Sequence, residues 1–296
     1  MPTTARGNNL YVTDFSNNMI GEYDSTTGAV VNASLVSGLH GPYGIAVSGS
    51  NLFVVKNGSG TIGEYTTSGT VVNASLVSGL TYPLGIAVSG SNLFVTDYDT
   101  HTIGEYTTSG AVVNASLVSE LTKPDGIAVS GSNLFVTDIY NNTIGEYNAT
   151  TGAVVNASLV SGLDWSEGIA VSGSKLFVTN YGSGTIGEYD AETGAVVNAA
   201  LISGFGENSL GGIAVSGGNL FVVNYVSGTI GEYTTSGAVV NASLVSGLSN
   251  PIGLAIDDNP VPEPLTMVAV GMGIAGLGGY IRRRRMAAKQ FQPSGN

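Results

Sequence analysis

A chain of 296 residues can form one large domain or two modest ones, and its 10% charged, 43% hydrophobic composition with 44 glycines fits neither disorder nor a helical bundle. Without cysteine it has no disulfides, thiolate metal sites or thiol nucleophile, and its stability must come from packing. Residues 1–260 hold 4 basic and 20 acidic side chains, a net −16, whereas the last 36 carry a net +4; the body should repel nucleic acid and anionic lipid and suit cations, neutral glycans or basic proteins.

From the N-terminus onward a strand-like run recurs: NLYVTD (9–14), NLFVVK (51–56), NLFVTD (92–97), NLFVTD (133–138), KLFVTN (175–180) and NLFVVN (219–224). Its leucines, from Leu10 to Leu220, are spaced by 42, 41, 41, 42 and 44 residues, a period that belongs to arrays, solenoids or propellers. Each period offers four strands, as in GIAV (85–88), NLFVTD (92–97), TIGEY (102–106) and AVVNASLV (111–118), separated by Gly, Ser, Thr, Asn and Asp turns. Four strands per repeat match a propeller blade, and no window sustains the 3.6-residue spacing of a helical solenoid.

The chain opens on a second strand and its last repeat ends on a first strand, GLAI (253–256). One blade is therefore expected to be split, its inner strand coming from the end of the repeats and its outer three from the beginning. That closes the ring and hides two sheet edges. The expected fold is an all-β, six-bladed β-propeller over residues 1–258, followed by a linker (259–264), a transmembrane helix (265–281) and a basic cytoplasmic tail (282–296).

The segments GIAVSGSNLFVTDIYNNTIGEY (126–147) and VTDFSNNMIGEY (12–23) resemble the NHL repeat, with its strand ending in Val-x-Asp, its Asn-Asn turn and its Ile-x-x-aromatic strand. That resemblance implies a propeller but no single function, because NHL-like propellers include peptide, RNA and protein binders as well as lyases and lactonases.

In a propeller the loop entering the first strand and the loop leaving the second share one face, around the channel mouth. The second-strand ends would place Asp14, Lys56, Asp97, Asp138, Asn180 and Asn224 there, and the entering loops would add Tyr43, Leu84, Asp125, Glu167, Gly211 and Ile252. Oxygen ligands of this kind suit a hard cation such as calcium. The arrangement is similar to gluconolactonase-like propellers, which implies a divalent metal polarising a lactone and activating water. Asp97, Asp125, Asp138 and Glu167 are the ligand-binding candidates, with Asp97 and Asp138 the metal candidates; turn capping is the competing role for such aspartates. His101 could act as a base, as in propeller lyases similar to virginiamycin hydrolases, although it also reads as a solvated turn residue; His40 has no evident partner. Trp165, which occurs once in the divergent loop DWSEG (164–168), is the best single candidate for ligand contact.

Other recurrent residues read as structural. Glu22, Glu64, Glu105, Glu146, Glu188 and Glu232 of the IGEY motif repeat once per blade, whereas a reaction centre needs different groups in different roles. The neighbouring tyrosines, Tyr23, Tyr65, Tyr106, Tyr147, Tyr189 and Tyr233, read as packing between blades. Asn-Ala-Ser at Asn32, Asn73, Asn114, Asn156 and Asn241 spells a glycosylation sequon, but its fixed register favours a strand or turn role.

The C-terminal segment combines VPEP (261–264), a 17-residue apolar run and the cluster Arg282 to Arg285. With Pro262, Glu263 and Pro264 at its head and Arg282, Arg283, Arg284 and Arg285 at its foot, it resembles a PEP-CTERM sorting signal. This resemblance implies processing by an exosortase-type enzyme in bacteria that make exopolysaccharide. At about 1.5 Å per residue the run reaches roughly 25 Å, enough for a thin bilayer, and the arginines should stay cytoplasmic. MPTTARGNN has no signal-like apolar segment, so the expectation is a start further upstream, an incomplete gene copy, or insertion through the tail after synthesis. These features together predict a non-enzymatic surface or matrix propeller of the bacterial envelope, anchored in the membrane or released, that binds exopolysaccharide or an envelope protein. The alternative is a metal-dependent lactonase-like hydrolase or lyase at the channel mouth, with no catalytic residue identified by motif.

Overall fold

The computed structural model describes residues 8–257, and these form 24 strands in six four-stranded antiparallel sheets. Strands β1 (Asn9–Asp14), β2 (Met19–Asp24) and β3 (Val30–Val36) come first. Two quartets follow: β4–β7 (Pro42–Ser48, Asn51–Lys56, Thr61–Thr66, Val71–Ser78) and β8–β11 (Pro83–Ser89, Asn92–Asp97, Thr102–Thr107, Val112–Val118). Next are β12–β15 (Pro124–Ser130, Asn133–Asp138, Thr143–Asn148, Val154–Ser161) and β16–β19 (Ser166–Ser172, Lys175–Asn180, Thr185–Asp190, Val196–Ile202). The last are β20–β23 (Leu210–Ser216, Asn219–Asn224, Thr229–Thr234, Val239–Val245) and a single β24 (Pro251–Asp257). The split blade takes the order β24-β1-β2-β3, as the strand count predicts, so the two ends of the repeat array are hydrogen-bonded to each other.

Local chemistry explains the blade. The run Leu-Phe-Val is β-branched or bulky at every position and is buried on both faces, with Leu10, Leu52, Leu93, Leu134 and Leu176 fully inaccessible. A two-residue loop joins the first and second strands, as at Gly90-Ser91 between the paired Ser89 and Asn92; Gly90 at φ +57° takes the conformation this tight hairpin needs. The core lies between blades: in one cluster Phe94, Ile103 and Val118 of one sheet meet Leu134, Val136 and Tyr147 of the next.

The regular polar residues have the structural roles expected of them. Asn51, Asn92, Asn133 and Asn219 each donate a side-chain hydrogen bond of 2.7–2.9 Å to the IGEY glutamate of their own blade, and Lys175 makes an ion pair with Glu188 instead. The IGEY tyrosines are buried between blades. Asn32, Asn73, Asn114, Asn156 and Asn241 each accept the backbone N–H two residues on, a local Asx bond in the exposed outer strand. Asn198 does the same with Ala200, so this bond does not need the lost serine hydroxyl.

Around the axis the first strands of adjacent blades touch, and a glycine in each permits it. A Cβ at Gly85 would sit 2.3 Å from the carbonyl oxygen of Asp125, and one at Gly126 would sit 2.1 Å from that of Glu167. A threonine ending the second strand fastens this contact. Thr96 Oγ1 accepts from Gly85 N in its own blade (2.8 Å) and donates to the Asp125 carbonyl of the next (2.6 Å). Thr137 bridges Gly126 N and the Glu167 carbonyl, Thr179 bridges Gly168 N and the Gly211 carbonyl, and Thr13 bridges Gly253 N and the Tyr43 carbonyl. Val55 and Val223 occupy this position in the remaining two blades and are fully buried.

Among the described residues no helix is long and apolar enough to cross a membrane. The expected transmembrane helix (265–281), the sorting motif and the basic tail lie outside the described residues. Removing one clasp tests the ring: Thr137→Val leaves a buried N–H and a buried carbonyl without their partner, which costs about 1–3 kcal/mol. A lower midpoint in urea with an unchanged slope is the expected outcome.

Candidate functional site at the channel mouth

Every blade carries a register shift at the start of its first strand, such as that between Pro124 and Ile127 against β13 and that between Ser166 and Ile169 against β17. The extra residues of these bulges turn side chains away from the sheet and toward the axis, as bulges beside binding sites commonly do. Six equivalent positions thus ring the channel, and they hold six different residues: Tyr43, Leu84, Asp125, Glu167, Gly211 and Ile252. Five of them line one cavity on the axis, whose residues also include Ile127, Ile169 and Ile213.

Opening outward from it is a cup of about 280 Å³ whose lining includes Tyr43, Tyr82, Tyr98, Asp125, Trp165 and Glu167. Asp125 is only 6% exposed, and neither its carboxylate nor that of Glu167 has a hydrogen-bond or salt-bridge partner. All three lysines among the described residues are engaged elsewhere: Lys56 with the Ala74 carbonyl, Lys123 with Asp99 and Lys175 with Glu188. Burial therefore pushes Asp125 up from its ordinary 3.8 to about 7. Glu167 is raised well above the usual carboxylate range, by burial first and then by the Asp125 charge. Burial and these two carboxylates also raise the Tyr43 phenol. Asp125 therefore titrates near neutrality, able to donate a hydrogen bond when protonated and to accept one when ionised.

An unbroken arc of aromatic rings runs along the cup, and Tyr82, Tyr98, Trp165 and Tyr181 of it form the wall. Tyr82 meets Tyr98 at 5.6 Å, Tyr98 meets Tyr140 at 6.4 Å, and Tyr140 meets Trp165 at 6.0 Å. Trp165 then stacks on Tyr181 at 6.4 Å and Tyr181 on Tyr225 at 6.0 Å. These are ordinary aromatic contact distances, yet Tyr82, Tyr140 and Trp165 remain 43–56% exposed. Trp165 also sits at φ +52°, a left-handed conformation costly for a bulky residue; the equivalent positions Gly41 and Asn250 adopt it with residues that tolerate it.

Of the residues proposed from sequence, Asp125, Trp165 and Glu167 come together in this cup. Asp97 and Asp138, the expected metal pair, do not line it. Asp97 accepts the backbone N–H groups of Thr81 (2.8 Å) and Tyr82 (3.1 Å), and Asp138 accepts those of Thr122 (2.7 Å) and Lys123 (3.1 Å). Both carboxylates pin the entering loop of their own blade, as Asp14 pins Ser249, and both oxygens of each are occupied. Lys56, Asn180 and Asn224 likewise bond within their own blades. Among the described residues no group of three or more His, Asp or Glu side chains is placed to hold a metal ion. His101 turns Nδ1 to the Thr122 carbonyl, and neither it nor His40 lines the cup. Sequence reasoning missed Tyr82, Tyr98, Tyr140, Tyr181 and Tyr225. An available signal was the aromatic that follows the second strand in VTDY, VTDIY, VTNY and VVNY.

The fold and this site define a six-bladed propeller with an asymmetric ligand cup at its channel mouth. Residues 1–207 match the model of the virginiamycin B lyase family, and the chain belongs to that family. No curated protein matches the sequence. Among solved structures, one from a nidogen/laminin complex aligns with a TM-score of 0.73 at 15% identity, over 84% of this chain and 98% of that one. A streptogramin B lyase aligns at 0.63 and 20% identity, covering 87% of this chain and 89% of its own. A catalytically inactive histidine-to-alanine variant of virginiamycin B lyase from Staphylococcus aureus, solved with quinupristin, aligns at 0.61 and 18% identity, covering 86% and 90%. At these identities the likeness is one of fold.

The raised Asp125 carboxyl gives stability a defined pH dependence. Folding takes up a proton between pH 3.8 and about 7, so this group's contribution is complete at low pH and is lost as pH rises through 7. Thermal melts should show a fall in Tm from pH 5 to pH 8 that is smaller in Asp125→Asn. Trp165→Asn, which places a left-handed-tolerant residue at φ +52°, should melt at or above the parent temperature.

Proposed function

We propose that the chain is a binding protein of the bacterial cell envelope that holds exopolysaccharide or an envelope protein through the cup at its channel mouth. The observation that supports this most is the exposed aromatic arc above two unpartnered carboxylates. Blade packing does not require it, because the buried IGEY tyrosines already supply the aromatic contacts between blades. Half-exposed rings present flat apolar faces to a ligand, and the carboxyl pair beneath them can orient it by accepting and donating hydrogen bonds. For delivery the proposal rests on the sequence of the tail, with Pro262-Glu263-Pro264, the span 265–281 and Arg282 to Arg285 serving as a sorting signal read by an exosortase-type enzyme.

A second reading, an acid–base lyase or hydrolase, is favoured by membership of the virginiamycin B lyase family and by the raised pKa of Asp125 beside Glu167. A group titrating near neutrality is suited to general acid–base work. The inactive staphylococcal variant lacks a histidine, whereas the cup of this chain has none; any proton transfer here would fall to Asp125 and Glu167.

Trp165 is the chain's single tryptophan, so its fluorescence reports on the cup alone. The binding reading expects purified envelope polysaccharide or a partner envelope protein to shift that emission, and expects quinupristin to be recovered unchanged by mass spectrometry. Turnover of quinupristin that is lost in Asp125→Asn would overturn it in favour of the enzyme. For the tail, the intact mass of the protein isolated from the envelope should be short of the segment beyond Arg285; a full-length mass would refute the sorting reading.

A further inference from the structure

We infer that the cup recognises an organic ammonium group, an inference that rests on the binding reading above and narrows its ligand class. Two independent features converge on it. The first is that Asp125, more than nine-tenths buried, and Glu167 point into the cavity without a hydrogen-bond or ion-pair partner, while Lys56 and Lys175 bond elsewhere and Lys123, at the rim, pairs with Asp99. Buried carboxylates are ordinarily matched by a cation or by donors, and here the protein supplies neither. The second is the wall: aromatic faces attract cations through the ring quadrupole, and Lys123 Nζ already lies 4.0 Å from the centroid of Tyr98.

Aromatic rings over carboxylates are the combination that recognises ammonium head groups. A neutral sugar would use the rings and donate hydroxyl hydrogen bonds to the carboxylates but would leave their charge unmatched, and an anion would be repelled by them. The long-range field acts in the same sense, because residues 1–260 carry a net −16 and draw cations toward the mouth. The cup's 280 Å³ lies at the low end of the roughly 300–1,000 Å³ common for small-molecule pockets, which suits a head group or one sugar unit. The same chemistry could reach the site as a free quaternary amine or as an amino sugar within a polymer.

Binding should also depend on pH. Asp125 and Glu167 both line the cup, with the phenols of Tyr43, Tyr82, Tyr98, Tyr181 and Tyr225 around them and the Asp99–Lys123 pair at the rim. The ionised form of Asp125 is the one that attracts a cation, so affinity for a quaternary amine, whose own charge does not titrate, should rise from pH 5 to pH 8.

The test is a titration of Trp165 fluorescence in the full chain with two matched pairs: choline against its uncharged isostere 3,3-dimethylbutanol, and glucosamine oligomers against N-acetylglucosamine oligomers. At least one charged probe should bind tenfold or more tightly than its neutral partner, with the free amine and the amino sugar distinguished by which pair responds. Asp125→Asn combined with Glu167→Gln should weaken that binding at least tenfold and abolish its pH dependence, with folding verified by circular dichroism. Equal response to charged and neutral partners would defeat the ammonium inference and leave the binding cup standing. Silence toward both charged probes, or unchanged affinity in the double variant, would also overturn it.

Discussion

A threonine hydroxyl shared between neighbouring blades carries much of the architecture. Each such hydroxyl accepts the N–H of its own blade's axial glycine and donates to a carbonyl in the next blade, at 2.6–2.9 Å. The glycines must lack a Cβ for these carbonyls to come so close. Blade-to-blade spacing at the axis is therefore set by directional bonds as well as by the apolar layers between sheets. The fastened carbonyls belong to Tyr43, Asp125, Glu167 and Gly211, the residues at the rim of the channel. The interaction that closes the ring thus also fixes the backbone of the candidate site.

That coupling bears on how near-identical repeats can produce a specific site. Duplication copies the IGEY tyrosine into all six blades, the Leu-Phe-Val run into five, and the Asn–Glu bond to Asn51, Asn92, Asn133 and Asn219, and all of these lie away from the mouth. The bulge residue is free of such demands because its side chain leaves the sheet. It accordingly differs in all six blades, and the acidic members fall on two adjacent ones. Symmetry of the scaffold and asymmetry of the site are compatible because packing constrains one set of positions and leaves the other open.

The fold was legible in the sequence because a 41–44-residue period with four strand-like runs has few solutions, and the first- and second-strand ends of the array reveal the split blade. Asp125, Trp165 and Glu167 were legible as residues breaking the repeat near a first strand. Asp97 and Asp138 were misplaced for a local reason: an aspartate ending a strand can face the axis or cap the adjoining loop, and the free N–H groups at Thr81, Tyr82, Thr122 and Lys123 decide the matter. The aromatic arc was legible only as a recurring aromatic after the second strand, at Tyr98, Tyr140, Tyr181 and Tyr225, and nothing in the sequence says that these rings meet. They become one wall only when the blades are set side by side.

A pair of unmatched carboxylates, one buried and one partly so, is destabilising unless something else secures the backbone that bears it. Here the clasps from Thr96 and Thr137 hold the carbonyls of Asp125 and Glu167 themselves, so the chain cannot relieve the repulsion by moving these residues apart without breaking a blade contact. Trp165 adds strain of the same kind at φ +52°, one residue before the strand that carries Glu167. Both features lie at the mouth. Strain and unmatched charge held in place by a rigid frame are what a preorganised site requires, because a ligand then meets groups already desolvated and positioned to receive it.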